Sequence, residues 1–336
     1  MQKERLSYID VAKGVLILFL LMGHALLFIR NEGVNDSFIN GFQNIRIFLW
    51  TPYYMPAFFV ITGFCSHFNK PFLPFLWKNF KILKIPAIIF GTVLVVLTMM
   101  SHHTLSVSRL LHHAILCWIN SGLWFLDALF ISKLLYWGIH LFCKSEIVQF
   151  ISCLSLFCIG FILYRYLMPG KDFGSIQHAL MMTQFLFVGQ WMKHHQQSVL
   201  CYKVTVLSVV LYTITAFSVF YMETSIPFIT NKIKLDEFSI IPFLLLATCG
   251  SQVIIYLCKV LPNNIYIEYI GRNSLVYYIF NTLALNIAVK LLSPHMNSHL
   301  MCIVLYVIVM IFTCAILTFI NGIVSNKYLQ FTLGKF

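Results

Sequence analysis

Apolar runs of about twenty residues recur along the whole chain, and that recurrence constrains its fold more than any other feature. A helix needs roughly 20 apolar residues to cross the ~30 Å hydrocarbon core of a bilayer. Inside that core every backbone N–H and C=O must be paired within the protein, which leaves helices or closed barrels. Runs this long and continuous dictate helices. They fall at 11–29, 48–67, 85–101, 122–142, 148–168, 177–193, 199–221, 238–258, 271–292 and 298–322. With 60% hydrophobic and 10% charged residues over 336 positions, a water-soluble fold is excluded. The expected fold is an all-α integral membrane protein of about ten transmembrane helices, with residues 1–336 forming one polytopic domain. No loop is long enough for a separate soluble domain, and no internal repeat is evident.

Lysine and arginine set the orientation, because both are enriched on the cytoplasmic side. Lys70, Lys78, Lys81 and Lys84, between the second and third runs, have no acid among them, which places that segment in the cytoplasm. Ten spans then put both termini on the same side, together with Lys144, Lys193, Lys203, Lys259 and Arg272. The opposite side carries Arg30, Arg46, Arg109, Arg165, Lys171, Lys232, Lys234 and Lys290. The net charge of +12 therefore belongs to cytoplasmic loops and does not mark a nucleic-acid partner. The ten cysteines show no C-x-x-C spacing and lie mostly within apolar runs, as small packing residues do. His102, His103, His112 and His113 flank Arg109 in a segment that reads as amphipathic and surface-lying; adjacent histidines do not share a helix face, so no metal site is expected.

The first run carries three ionisable residues, Asp10, Lys13 and His24. Lys13 and His24 are 11 positions apart. At about 100° per residue they differ by only about 20° around a helix, and Asp10 lies about 40° from His24. All three project from one stripe. Along the axis Lys13 and His24 are roughly 16 Å apart, and Asp10 is roughly 21 Å from His24, too far to orient it. Ionisable groups at this depth are costly and face a cavity or a partner. A plainer reading fits the same residues: Asp10 and Lys13 as an i,i+3 pair at the water boundary, and His24 as a neutral imidazole bonded to a neighbouring helix.

The pattern Arg5…Asp10-Val-Ala-Lys13-Gly…Gly23-His24 resembles the opening of the membrane-bound acyltransferase-3 family, within it the sugar O-acetyltransferase branch that includes fucose 4-O-acetylase-like proteins. In that family a basic residue, commonly Arg, precedes an essential His by the same spacing. Tyr53-Tyr54-Met55-Pro56…Phe58-Phe59…Thr62-Gly63 is similar to the family's second signature, with Tyr54 where His is usual and Thr62 where Ser is usual. Tyr54 does not serve as a base near neutral pH, whereas Thr62 keeps the hydroxyl. Leu123-Trp124-Phe125-Leu126 resembles a further family element, and the adjoining Asp127 reads equally as an exposed cap or as a carboxylate directed into a pocket. Gly271-Arg272-Asn273-Ser274-Leu275…Asn281 is similar to a late element, with Asn281 in a usual His position; Asn hydrogen-bonds but cannot carry a proton charge.

The resemblance implies an integral membrane O-acetyltransferase that moves acetyl from acetyl-CoA to a hydroxyl of a cell-surface or lipid-linked glycan. His24 is the expected base; an acetyl-His intermediate is the alternative route. Lys13, Arg5 and Arg272 are the candidates for the CoA phosphates, Arg272 reading first as a positive-inside anchor, and Asp10 holds Lys13. Arg46, Tyr54, Thr62, Trp124, Asp127 and Asn281 are the pocket candidates. No permanently bound cofactor and no metal are expected. The partners are the acyl donor, the glycan acceptor and the lipid of a cell membrane that the chain crosses many times. The rival reading is a transporter or flippase whose intramembrane His relays protons.

Overall fold

In the computed structural model, residues 6–101, 103, 106–168, 175–221 and 239–334 are described, and no strand occurs among them. In chain order the helices are α1 (Ser7–Asn31), α2 (Ser37–Leu49), α3 (Tyr54–Cys65), α4 (Phe72–Asn79) and α5 (Ile85–Ser101). They continue as α6 (Val107–Leu116), α7 (Trp124–Phe142), α8 (Glu146–Ile162), α9 (Ile176–His194) and the single turn α10 (Gln196–Val199). The last are α11 (Tyr202–Tyr221), α12 (Ile240–Val260), α13 (Ile265–Arg272), α14 (Ser274–Leu292) and α15 (His299–Val324). Among the described residues, nine segments are long and apolar enough to cross a membrane. The protein is an all-α, multi-pass integral membrane protein.

Nine of the expected spans coincide with these segments. The one expected at 177–193 forms α9, whose 19 residues extend about 28 Å. Its Gln177, His178, Thr183, Gln184 and Gln190 lower its hydropathy, yet all five are buried in protein, the condition under which polar residues survive at that depth. Two boundaries differ from expectation. The second span is a pair of helices, α2 and α3, separated at Trp50–Tyr53. The third begins at Phe72, because α4 runs into α5 through the π-helical segment Phe80–Lys84. Lys78, Lys81 and Lys84 therefore sit on helix rather than in a loop. Arg5, Lys171, Lys232 and Lys234 lie outside the described residues.

The chain divides into two compact units: Met1–Phe58 with His195–Ile323, and Phe59–His194 with Val324–Phe336. In the first, α1 packs against α2, α12, α13 and α14. Helices in lipid gain little from excluding water, so close approach through small residues matters. A Cβ on Gly14 would collide with the Ile267 carbonyl, and one on Gly271 with the Asp10 carbonyl. These two glycines bring the backbones of α1 and α13 together and deliver Arg272 to Asp10. The N-terminus of α13 is fixed by Asn264, whose side chain accepts from Tyr266 N and Ile267 N.

In the second unit α9 packs against α7 and α8. Its Gly189 abuts the Val60 carbonyl of α3, and Gly63 of α3 abuts the Leu186 carbonyl in return. A buried ion pair ties the π-helical segment to α7: Lys84 Nζ lies 2.5 Å from Asp127 Oδ1. The other carboxylate oxygen accepts from Ser121 N at 2.9 Å and Ser121 Oγ at 2.8 Å. Asp127 is 0% exposed. It is not an exposed cap; its carboxylate points inward, to Lys84, a lysine that the sequence reading assigned to a loop, and to Ser121.

Candidate active site

In the first unit, His24 Nδ1 lies 2.8 Å from Asn281 Oδ1, so α1 and α14 are joined at the imidazole. Asn281 Nδ2 donates to the Tyr278 carbonyl one turn back on α14. That bond turns the amide so that its oxygen faces the ring. An oxygen acceptor there requires hydrogen on Nδ1, which puts the lone pair of neutral His24 on Nε2. Nε2 makes no hydrogen bond to the described residues. The plainer reading of a His bonded to a neighbouring helix describes half of this arrangement. The outstanding half is an Nε2 lone pair that no described residue hydrogen-bonds.

Beside the imidazole stands Arg46. A Cβ on Gly23 would lie 2.5 Å from Arg46 Nη1, so the absence of a side chain at 23 admits the guanidinium against α1. Arg46 is within electrostatic reach of His24, Tyr54 and Tyr306. Tyr54 is buried at the start of α3, and Tyr306 donates its hydroxyl to the Met22 carbonyl at 3.3 Å. Phe19 stacks on Trp50 at 5.3 Å, which anchors the end of α2 to α1.

Several polar atoms on this side of α2 are buried yet unpaired: Gln43 Oε1, Arg46 Nε, Trp50 Nε1 and Thr51 Oγ1. Gln43, Arg46 and Trp50 follow an i, i+3, i+7 spacing and share a helix face. Buried polar groups are normally satisfied, so four orphans in nine residues call for a polar occupant. Gln43, Trp50 and Thr51 were not singled out in the sequence. The only signal was a glutamine and an arginine one turn apart.

At the other end of the stripe, Asp10 is 2% exposed. Lys13 Nζ lies 3.3 Å from Asp10 Oδ1, and Arg272 Nε lies 3.9 Å from Oδ2. Arg272 also pairs with Glu268. The Lys13 side chain is 28% exposed and that of Arg272 is 51% exposed, so two cations flank one buried carboxylate and keep their heads accessible.

Thr62, Trp124 and Asp127 belong to the second unit. Thr62 is half-buried on α3. Trp124 opens α7, its ring 5.0 Å from that of His178. Asp127 is engaged with Lys84 as described. Arg5 lies outside the described residues. Among the described residues, no three His, Cys, Asp or Glu side chains cluster as metal ligands would.

A family model described as an acyltransferase domain matches residues 6–321, nearly the whole chain and parts of both units. No curated protein and no solved structure matches.

Proposed function

From a chain that belongs to the acyltransferase-3 family, and so to the membrane acyltransferases, we propose an O-acetyltransferase that moves acetyl from acetyl-CoA to a sugar hydroxyl. The observation that carries this reading is the His24–Asn281 pair, which leaves the lone pair on Nε2, with Arg46 within electrostatic reach of the imidazole. The acceptor hydroxyl gives its proton to His24 Nε2 while its oxygen attacks the thioester carbonyl carbon. The tetrahedral oxyanion is stabilised by the Arg46 guanidinium. When the C–S bond breaks, the CoA thiolate leaves and takes up the proton held on the imidazolium. Asn281 stays hydrogen-bonded to Nδ1–H throughout and favours the productive tautomer. Gln43, Trp50 and Thr51 offer one acceptor, one donor and one hydroxyl to a polyol, the chemistry of a sugar ring rather than of an acyl chain. Lys13 and Arg272 take the CoA phosphates as cationic partners. The glycan is a cell-surface polysaccharide or its lipid-linked precursor.

The test is incubation of membranes containing the protein with labelled acetyl-CoA and a panel of sugars. Label in an O-acetylated sugar supports the reading. Accumulation of unmodified solute across the bilayer, with no acetylated product, contradicts it in favour of transport.

A further inference from the structure

One end of the second unit holds a cavity of about 990 Å³ that none of the residues assigned to acetyl transfer lines, at the ends of α3, α7 and α9 and the starts of α4 and α8. We propose that this cavity binds a nucleotide, with its phosphates at Lys70, Lys144 and Lys193 and its base against Trp137.

The charge of the cavity comes first. Three lysines line it and no carboxylate does. The nearby Glu146 is occupied by His194, Nδ1 to Oε1 at 3.3 Å. Neither Lys70 nor Lys144 forms an ion pair among the described residues. Like charges gathered around one space repel, and a multivalent anion converts that repulsion into binding.

The walls are built rather than loose. Lys193 Nζ donates to the Ser66 carbonyl at 2.9 Å, Trp137 Nε1 to the Lys70 carbonyl at 2.9 Å, and His140 Nε2 sits 2.8 Å from Asn69 Oδ1. These bonds hold the connection between α3 and α4 at three successive points. They also fix the indole, which Phe72 flanks at 5.0 Å and Phe75 stacks on at 6.2 Å. A clamped aromatic face next to cations is what a base with its phosphates requires.

A third feature separates a nucleotide from a bare phosphate. Gln190 lines the cavity, is 7% exposed, and its Oε1 is buried and accepts no hydrogen bond. Its Nε2 is held at 3.1 Å from His194 Nε2. An orphan acceptor among cations calls for a ligand that also donates, as a nucleobase amino group or a ribose hydroxyl does. The volume is at the upper end of the range for small-ligand sites. The positive-inside reading places this end in the cytoplasm, where soluble nucleotides are found. The residues assigned to acetyl transfer are different ones. Because coenzyme A itself ends in an adenosine diphosphate, displacement of ADP by acetyl-CoA below the concentrations at which ADP binds would assign this cavity to the acyl donor and overturn the proposal of a separate nucleotide.

Equilibrium dialysis of the full-length protein in detergent micelles with radiolabelled ADP tests the proposal. Saturable binding at one site per chain is expected, weakened tenfold or more by Lys70→Ala combined with Lys144→Ala; both side chains are exposed, so the melting temperature without ligand should match wild type. Trp137→Leu should weaken ADP but leave competition by inorganic phosphate unchanged. Absence of saturable ADP binding at millimolar concentration, or binding indifferent to the double substitution, overturns the proposal. It is also overturned if short-chain phosphatidic acid displaces ADP at concentrations below those at which ADP itself binds, since the ligand would then be a lipid headgroup.

Discussion

His24 and Asn281 form a hydrogen bond of 2.8 Å between α1 and α14, and the amide is turned by its own bond to Tyr278 so that oxygen faces the ring. A residue that cannot titrate thus controls one that can. In the proposed reaction the proton goes to His24, and Asn281, by holding hydrogen on Nδ1, leaves Nε2 as the nitrogen that takes it.

Asn281→Leu removes the acceptor while keeping similar volume. The imidazole loses its orienting bond, and kcat for acetyl transfer should fall on the order of tenfold to a hundredfold, the usual cost of losing such a supporting partner. Asn281→Asp restores an acceptor at Nδ1 and should retain more activity than Leu. Equal activity in wild type and Asn281→Leu contradicts the orienting role.

Gly23→Ala tests the seat of Arg46. The added methyl would meet Nη1 at 2.5 Å, and because that atom ends a flexible side chain, the guanidinium should shift rather than the helix unfold. Membrane level should stay near wild type while transfer drops, because the cation no longer sits where the oxyanion forms. A Gly23→Ala protein with normal kcat would remove Arg46 from the chemistry.

Lys13→Ala should raise the KM for acetyl-CoA more than that for the acceptor. Arg at position 13 keeps the cation and should be mild. Since Lys13 is partly exposed, its share of binding weakens as salt rises. An unchanged KM for acetyl-CoA would leave Lys13 as a boundary charge held by Asp10.

Lys84 and Asp127 are a structural matter. Lys84→Met alone strands a buried carboxylate and should destabilise the protein by about 3–5 kcal/mol, the typical cost of breaking a buried pair. Asp127→Leu added to it should recover most of the loss, read as detergent melting temperature. A silent Lys84→Met would contradict the buried pair.

The helices were legible in the sequence because hydropathy alone dictates them in a bilayer, and the face shared by Asp10, Lys13 and His24 followed from helix geometry. Three things were not legible. Helix α9 hides its glutamines inside the protein, so its hydropathy understates its burial. Lys84 looks like one more loop cation until Asp127, 43 positions away, is seen at its side. The contact of His24 with Asn281 spans 257 positions, and no local pattern encodes it. The roles of Gly14 and Gly271 at the α1–α13 contact, and of Gly23 against Arg46, depend on the close approach of neighbouring groups, which sequence spacing does not reveal.

The most direct test of the central claim compares wild type with His24→Gln in a single assay, transfer of labelled acetyl from acetyl-CoA to a sugar hydroxyl. Glutamine keeps hydrogen-bonding capacity but has no titrating group, so membrane level and melting temperature should stay near wild type. Transfer should fall on the order of 10²–10⁴-fold, and the wild-type rise of rate with pH, which reports loss of the imidazole proton, should disappear. Substantial transfer retained by His24→Gln, with the same pH dependence as wild type, would contradict His24 as the base.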